Sequence, residues 1–209
     1  SMFKPVNPRI TKWVFYIILC VGYSCRLRQF ATNRSLWIDE YFLSLKLSTA
    51  PLLDLIIYQS GQAAPPLFML ISRLSIFLFG DNELAFRLFP LLLGLISLSL
   101  FWSIAKRFLS PSWALLAFFL FCINDNLIYY SSELKQYQGD VFCCLLLLWH
   151  FFKLKESPSK QQFWLATIIG ACCFWLSHSS IFIAVTIALL LLYQFYNTSL
   201  FKHILILCA

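Results

Sequence analysis

The sequence predicts an all-α, polytopic integral membrane protein. Sixty per cent of its 209 residues are apolar and 12% are charged, whereas soluble domains carry about 25% charged residues. The charged residues form short clusters between apolar runs of about 15 to 21 residues, which is the length scale of a helix that crosses a bilayer. The net charge of +7 comes from basic residues at the ends of these runs. Because no basic stripe with interleaved aromatic residues accompanies that charge, the composition excludes a nucleic-acid-binding protein.

Six apolar runs have the length of a membrane span, and a seventh begins near residue 203. The six lie at about 12–27, 85–105, 111–130, 137–152, 163–178 and 180–196. The last run has barely begun where the sequence ends, so we expect residues 1–209 to be a single N-terminal transmembrane module whose C-terminal remainder is absent. The cysteines inside these runs lack the C-x2-C spacing of zinc sites, and we interpret them as small apolar residues.

One apolar run, Pro65 to Phe79, decides the topology. Its 15 residues rise only about 22 Å as a helix, against a hydrocarbon core of roughly 30 Å. If this run does not span, nine of the 16 basic residues face the cytoplasm; if it spans, the later basic clusters face outward, against the positive-inside bias. We therefore predict a large external segment over residues 28–84, with amphipathic juxtamembrane helices and with Pro65 to Phe79 oblique or parallel to the membrane surface.

The acidic residues gather on the predicted external side. Eight of the nine fall there: Asp39, Glu40, Asp54, Asp81, Glu83, Asp125, Glu133 and Asp140. Acidic residues contribute little to membrane orientation, so this one-sided distribution indicates chemistry at that face. We expect a multi-pass protein of the cell (inner) membrane whose active site faces the periplasm or another extracytoplasmic space.

The segment LWIDEYFLSLKL contains the first candidate site residues. Asp39 and Glu40 open an amphipathic stretch that carries Lys46. Neighbouring helical residues point about 100° apart, so at most one of the two carboxylates faces a given site. The alternative is that both are solvated acids in a first helical turn.

The segment IYYSSELKQYQGD contains the second set. On one continuous helix, Tyr130, Glu133, Tyr137 and Asp140 share a face, with Lys135 as the expected partner of Glu133 or Asp140. A purely structural ion pair at the membrane interface is the alternative. A third segment, WLSHSS, places His178 at the outer end of the fifth run, as either an interfacial polar residue or a functional one.

Together with the run GQAAPPLFMLISRLSIFLFGDNELAFRLFPLLLGL, these segments resemble the GT-C superfamily of glycosyltransferases. The similarity covers nearly the whole chain and is strongest to the branch of protein O-mannosyltransferases, lipid A aminoarabinose transferases and related sugar transferases of lipopolysaccharide assembly. The matching positions in the run are Pro65, Pro66, Leu67, Gly80, Glu83, Arg87 and Pro90.

The resemblance implies a cell-envelope glycan enzyme that moves a sugar, with inversion, from a polyprenyl-phosphate donor to a hydroxyl of an extracytoplasmic glycan, lipid or protein. It implies that Asp39 is the general base and that Lys135 contacts the lipid phosphate. The implied substrate-binding residues are Glu40, Glu133, Lys135, Tyr137, Asp140, His178, Arg73 and Arg87. No cofactor is certain; a divalent metal ion is an alternative, with Asp39, Glu133 and Asp140 as candidate ligands. Membrane lipids are the other expected partner, and nucleic acid is not.

Two positions depart from the family pattern. Ala64 precedes the two prolines where relatives often carry His or Lys, and Lys135 replaces an arginine, which loses the bidentate fork that suits phosphate. Gln62, Arg73 and Arg87 are candidates to compensate. The competing hypothesis is a non-catalytic membrane protein that binds or transports lipid or sugar, or a truncated inactive relic. Transporters place charges near the bilayer midplane in repeated helices; the absence of an internal repeat here favours the enzyme.

Overall fold

The computed structural model describes residues 8–57 and 64–196, and the secondary structure of this part is helical. Its helices are α1 (Pro8–Ala31), α2 (Ile38–Thr49), α3 (Leu52–Ile56), α4 (Pro66–Phe79), α5 (Glu83–Phe108), α6 (Pro111–Ile123), α7 (Asp125–Tyr130), α8 (Tyr137–Glu156), α9 (Lys160–Leu176) and α10 (Ser180–Phe195). The predicted seventh run and Gln62 lie outside the described residues. The all-α class is confirmed.

Two of these helices are long and apolar enough to cross a membrane. They cover Arg9–Ala31 and Glu83–Phe108, whereas Pro66–Phe79, Pro111–Ile123 and Ser180–Gln194 are apolar but shorter. These helices overlap the apolar runs of the sequence. The six spans of the chain and their orientation stay a prediction.

The predicted run 111–130 is not one helix. Helix α6 ends at Ile123, and Asn124 then adopts an extended ψ of 117°. The Asn124 side chain accepts the backbone N–H of Leu127 at 3.0 Å and so caps α7. Asparagine is a favourable N-cap because its side-chain oxygen satisfies one of the free N–H groups of a first turn. The break therefore has a local cause that hydropathy does not reveal.

Backbone carbonyls at the end of α6 accept hydrogen bonds from a buried cation of α1. Arg26 is fully buried and donates to the backbone carbonyls of Cys122 at 3.1 Å and Phe121 at 3.5 Å. These are carbonyls of a last helical turn, where a positive charge also meets the negative end of the helix dipole. Arg26 thus holds α1 against the broken helix.

Tyr130, Glu133, Tyr137 and Asp140 do not lie on one continuous helix, in agreement with the apolar runs, of which one ends at 130 and the next begins at 137. Helix α7 ends at Tyr130, α8 begins at Tyr137, and residues 131–136 form turns. The hydroxyls of Ser131 and Ser132 bond back to the carbonyls of Ile128 and Tyr129, a competition with helical hydrogen bonding that is typical of serine. Glu133 and Lys135 lie in this turn, so they do not share a helix face with Tyr137 and Asp140.

Helix α5 lies at the centre of the bundle and contacts α1, α4, α6, α7 and α8. Helix α4 contacts α2, α3 and α9 as well, and its Phe68 ring lies 5.7 Å from that of Phe89 on α5. Gly80 ends α4 with a φ of +86°, a conformation that favours glycine. Helix α4 therefore packs against α5, and α2 and α3 pack against α4. The tilt of α4 to the membrane stays a prediction.

Candidate functional site

The candidate site lies where the start of α2 meets the start of α5 and the turn 131–136. Helix α2 begins with Trp37 as its N-cap, and a carboxylate oxygen of Glu40 lies 3.5 Å from the Trp37 backbone N–H. Asp39 and Glu40 point in different directions, as their helical spacing predicts: the Asp39 side chain is 41% exposed, and that of Glu40 is fully buried. One carboxylate thus faces the surface and the other the protein interior.

Glu40 and Arg87 form a buried, bidentate ion pair. The Arg87 Nε donates to Glu40 Oε1 at 2.9 Å and its Nη2 donates to Oε2 at 2.7 Å. Glu40 Oε1 also accepts the backbone N–H of Leu134 at 2.8 Å, and Arg87 Nη1 donates to the carbonyl of Arg34 at 2.6 Å. A buried pair of charges is tolerated when its remaining hydrogen-bonding positions are satisfied in this way. The pair joins α2, α5 and the turn 131–136.

This burial changes the expected role of Glu40 and Arg87. Both were expected to contact a substrate, but their side chains are 0% and 1% exposed and bind each other. Glu40 and Arg87 therefore hold in place the segments that carry Asp39 and Lys135.

Asp39 and Lys135 form a second ion pair, in which the Asp39 side chain is partly exposed and that of Lys135 is nearly buried. Their carboxylate and ammonium groups lie 3.3 Å apart, and the ammonium also lies 5.8 Å from the centre of the Trp37 ring. The sequence-based expectation was a partner at Glu133 or Asp140; the structure pairs Lys135 with Asp39, while the Lys135 charge also acts on the Glu133 carboxyl. The turn at 131–136 places Lys135 over α2, where Asp39 is the nearer acid. The expected base and the expected phosphate contact are thus adjacent.

Glu133, two residues before Lys135, is buried. Its Oε1 accepts the indole N–H of Trp37 at 2.9 Å, and its Oε2 is a buried oxygen with no hydrogen-bond partner among the described residues. Burial raises the pKa of the Glu133 carboxyl, as does the neighbouring charge of Glu40, and the Trp37 hydrogen bond opposes both effects. The site therefore favours the protonated form of Glu133.

The remaining predicted site residues make contacts of their own, apart from the Asp39–Lys135 pair. Asp140 accepts a hydrogen bond from the Ser177 hydroxyl at 2.6 Å, and exposed His178 follows Ser177 in the turn between α9 and α10. Tyr137 is 40% exposed, with its ring 4.9 Å from that of Tyr130. Arg73 lies on α4, away from the turn in sequence, with its Nη1 buried and without a hydrogen-bond partner among the described residues.

The three candidate metal ligands do not converge. Asp39 contacts Lys135, Glu133 contacts Trp37 and Asp140 contacts Ser177. Within residues 8–57 and 64–196, no group of three or more His, Cys, Asp or Glu side chains has an arrangement that holds a metal ion. The arrangement instead offers a cation beside a carboxylate, which suits a phosphate and a hydroxyl.

Sequence reasoning missed Arg34 and Trp37. The Arg34 guanidinium lies 4.3 Å over the Tyr129 ring, donates to the Tyr129 hydroxyl at 2.8 Å and reaches the Ser132 carbonyl at 3.3 Å. Trp37 bonds to Glu133, 96 residues later. The position of Trp37 just before two acids indicates a helix start, whereas no local pattern points from Arg34 to Tyr129.

Comparison with known proteins identifies one family. A family model described as dolichyl-phosphate-mannose-protein mannosyltransferase matches residues 63–209. Arg87, Glu133 and Lys135 lie inside the matched part, and Asp39 and Glu40 lie before it. No curated protein matches the chain, and no solved structure does.

Proposed function

Because the chain belongs to the dolichyl-phosphate-mannose-protein mannosyltransferase family and is a membrane glycosyltransferase, we propose that it transfers a sugar from a polyprenyl-phosphate donor to an extracytoplasmic hydroxyl, with inversion. The observation that carries the proposal is the contact between Asp39 and Lys135 at 3.3 Å. A base for the acceptor and a cation for the leaving phosphate are thereby adjacent on a partly exposed surface.

The reaction begins with an exchange of partners. The donor phosphate is a diester with one negative charge, and at the site it draws the Lys135 ammonium away from Asp39. This attraction grows as the C1–O bond breaks, because the departing polyprenyl phosphate gains a second negative charge. Asp39 is then free to accept a hydrogen bond from the acceptor hydroxyl. The bound donor itself thus prepares the base.

Transfer then proceeds in one displacement. The acceptor oxygen attacks C1 of the sugar from the face opposite the phosphate, and Asp39 takes the hydroxyl proton as the new C1–O bond forms. The old C1–O bond breaks and its electrons stay on the polyprenyl phosphate. Lys135 stabilises this leaving anion. One displacement inverts the configuration at C1.

Buried side chains hold Asp39 and Lys135 in position relative to each other. Glu40 binds Arg87 and the Leu134 amide, and Glu133 binds Trp37. Two separate connections therefore tie α2 to the turn that carries Lys135, and a shift of about 1 Å in such an arrangement is enough to slow a reaction strongly.

A transfer assay tests the proposal. Membranes containing the full chain are supplied with candidate polyprenyl-phosphate sugars, and the product is analysed for sugar transfer and for the configuration at C1. Transfer with inversion that requires the polyprenyl phosphate supports the proposal. Binding of the donor without transfer, under conditions where the chain is folded, favours the non-catalytic lipid- or sugar-binding alternative.

A further inference from the structure

The end of the bundle opposite the candidate site has a strong positive charge. It is defined here as the basic end and consists of Arg9, Lys12, Lys106, Arg107, Lys153, Lys155 and Lys160. Two contacts bring these helix ends together: Arg107 and Glu156 form an ion pair at 3.1 Å between the ends of α5 and α8, and the rings of Phe15 and Trp102 stack at 4.6 Å between α1 and α5. The basic end is therefore one surface rather than a set of scattered charges.

Among the described residues, the basic end has a single carboxylate to balance its seven cations. That carboxylate is Glu156, and Arg107 already binds it. The described part of the basic end therefore carries an excess of positive charge, which an anionic surface complements.

Three lysines of the basic end share one arrangement. Each lies four residues after an aromatic residue and rests over its ring: Lys106 at 5.5 Å from Trp102, Lys153 at 5.0 Å from Trp149, and Lys155 at 5.8 Å from Phe151. Residues four apart are neighbours on a helix, and a cation over an aromatic ring is attracted by the ring. Each ammonium group is thus held close to an aromatic ring near the end of its helix.

Most tryptophans of the chain lie near the basic end. Five of the seven lie near the basic end: Trp13, Trp102, Trp113, Trp149 and Trp164. Trp13, Trp113 and Trp164 are more than half exposed, as is Phe108. Tryptophan is enriched where a protein meets the headgroup level of a bilayer. A soluble acidic partner has no apolar layer for these rings, whereas a lipid leaflet provides an apolar layer and an anionic layer in that order.

We propose that the basic end is a docking surface for the headgroups of anionic phospholipids. The lysines contact the headgroup phosphates, and the tryptophan rings lie at the glycerol level. The negative charge of the headgroups balances the positive charge at the ends of α5 and α8. The phospholipid is the occupant, not the glycosyl donor, because the basic end lies at the other end of the bundle from Asp39 and Lys135.

The test uses the full chain, purified in a neutral detergent and supplied with either phosphatidylglycerol or phosphatidylcholine. Two readouts are followed: the lipid retained by the protein in native mass spectrometry, and the shift of the thermal unfolding midpoint. We expect retention and stabilisation with phosphatidylglycerol in preference to phosphatidylcholine, with the preference weakened by added salt. Inorganic phosphate alone is expected to give no shift, which separates a headgroup site from a free-phosphate site.

The variant Lys106→Gln/Lys153→Gln is expected to lose preference for phosphatidylglycerol by about fivefold for each charge, or roughly 30-fold in all. The matched control, Arg28→Gln/Lys46→Gln, removes two charges from the site end and is expected to keep the preference. If the variant is too unstable to purify, Lys155→Gln/Lys160→Gln replaces it. Equal retention of both lipids by the parent protein overturns the proposal, as does an equal loss in the control.

Discussion

The guanidinium of Arg87 holds the carboxylate of Glu40 with two hydrogen bonds, at 2.9 and 2.7 Å, across 47 residues of chain. Neither side chain reaches the surface. This pair holds together the segments on which the partly exposed Asp39 and the nearly buried Lys135 meet.

Removal of the buried cation is expected to destabilise the protein strongly. Arg87→Met leaves the buried Glu40 carboxylate with only the longer ion pair to Arg34, at 3.9 Å, among the described residues, and breaking a buried pair typically costs about 3–5 kcal/mol. The measurement is the free energy of unfolding of the purified chain in detergent. Arg107→Met is the control, because it breaks the exposed Arg107–Glu156 pair and is expected to cost no more than about 1 kcal/mol. Similar losses in the two variants argue against a structural role for the Glu40–Arg87 pair.

Removal of the proposed base is expected to affect turnover and not folding. Asp39→Asn keeps the shape of the side chain but cannot accept a proton, so sugar transfer falls by about 100-fold to 10,000-fold, with an unchanged unfolding midpoint. Asp81→Asn makes the same chemical change at an exposed acid in the α4–α5 turn, and its activity is expected to match the parent. Near-normal turnover in Asp39→Asn leaves Asp39 as an ordinary first-turn acid.

Lys135 is expected to act on the donor. Lys135→Ala removes the cation that the lipid phosphate needs, so donor binding weakens and the leaving group departs more slowly. Lys135→Arg restores the charge and adds a bidentate fork, so it is expected to recover donor affinity. Donor affinity is measured directly by displacement of a labelled polyprenyl phosphate. Unchanged affinity in Lys135→Ala contradicts the phosphate role.

Glu133 makes the stability depend on pH. Its pKa is raised from the ordinary value of 4.5, so the folded protein binds the proton more tightly than the unfolded chain does. Folding stability therefore falls as the pH rises from about 4.5 through the raised pKa, and the full penalty is present above it.

Glu133→Gln is accordingly expected to stabilise the protein at neutral pH, since the amide oxygen still accepts the Trp37 N–H and carries no charge. The gain is expected to vanish below the ordinary pKa, where the native carboxyl is neutral in both states. Unfolding midpoints over a pH series measure it. Glu83→Gln serves as the control: Glu83 lies in the first turn of α5, where a negative charge is favourable, so its loss is expected to destabilise slightly at neutral pH.

The orientation in the membrane is testable at exposed positions. Single cysteines at 38, 81 and 179 are expected to react with a membrane-impermeant maleimide added outside cells, and cysteines at 110 and 159 are expected to react only after the membrane is opened. The chain with its native cysteines alone gives the background. Outside reaction at 110 or 159 breaks the predicted orientation.

Hydropathy predicted the helices well, because α1, α5, α8, α9 and α10 coincide with apolar runs. It did not predict the break at Asn124, since one asparagine hardly changes the average hydropathy of a run. The turn after Tyr130 falls between the apolar runs that end at 130 and begin at 137, but YSSELKQY is also compatible with one face of a helix, so its conformation was left open.

The site itself was only partly predictable. Asp39 and Lys135 were recognised from their segments, but the contact between them joins positions 39 and 135, and no local pattern encodes a contact at that separation. The buried role of Glu40 and Arg87 was likewise hidden, because a charged residue near a predicted surface gives no sign that it is paired in the interior.

The family match begins at residue 63, yet half of the site lies before it. A polypeptide that starts at this boundary lacks Trp37, Asp39 and Glu40, so Arg87 is left in the interior without its counter-charge and the Glu133 carboxyl without its only described hydrogen-bond donor. We therefore expect the matched region to fold stably only when α1 and α2 are present in the same polypeptide.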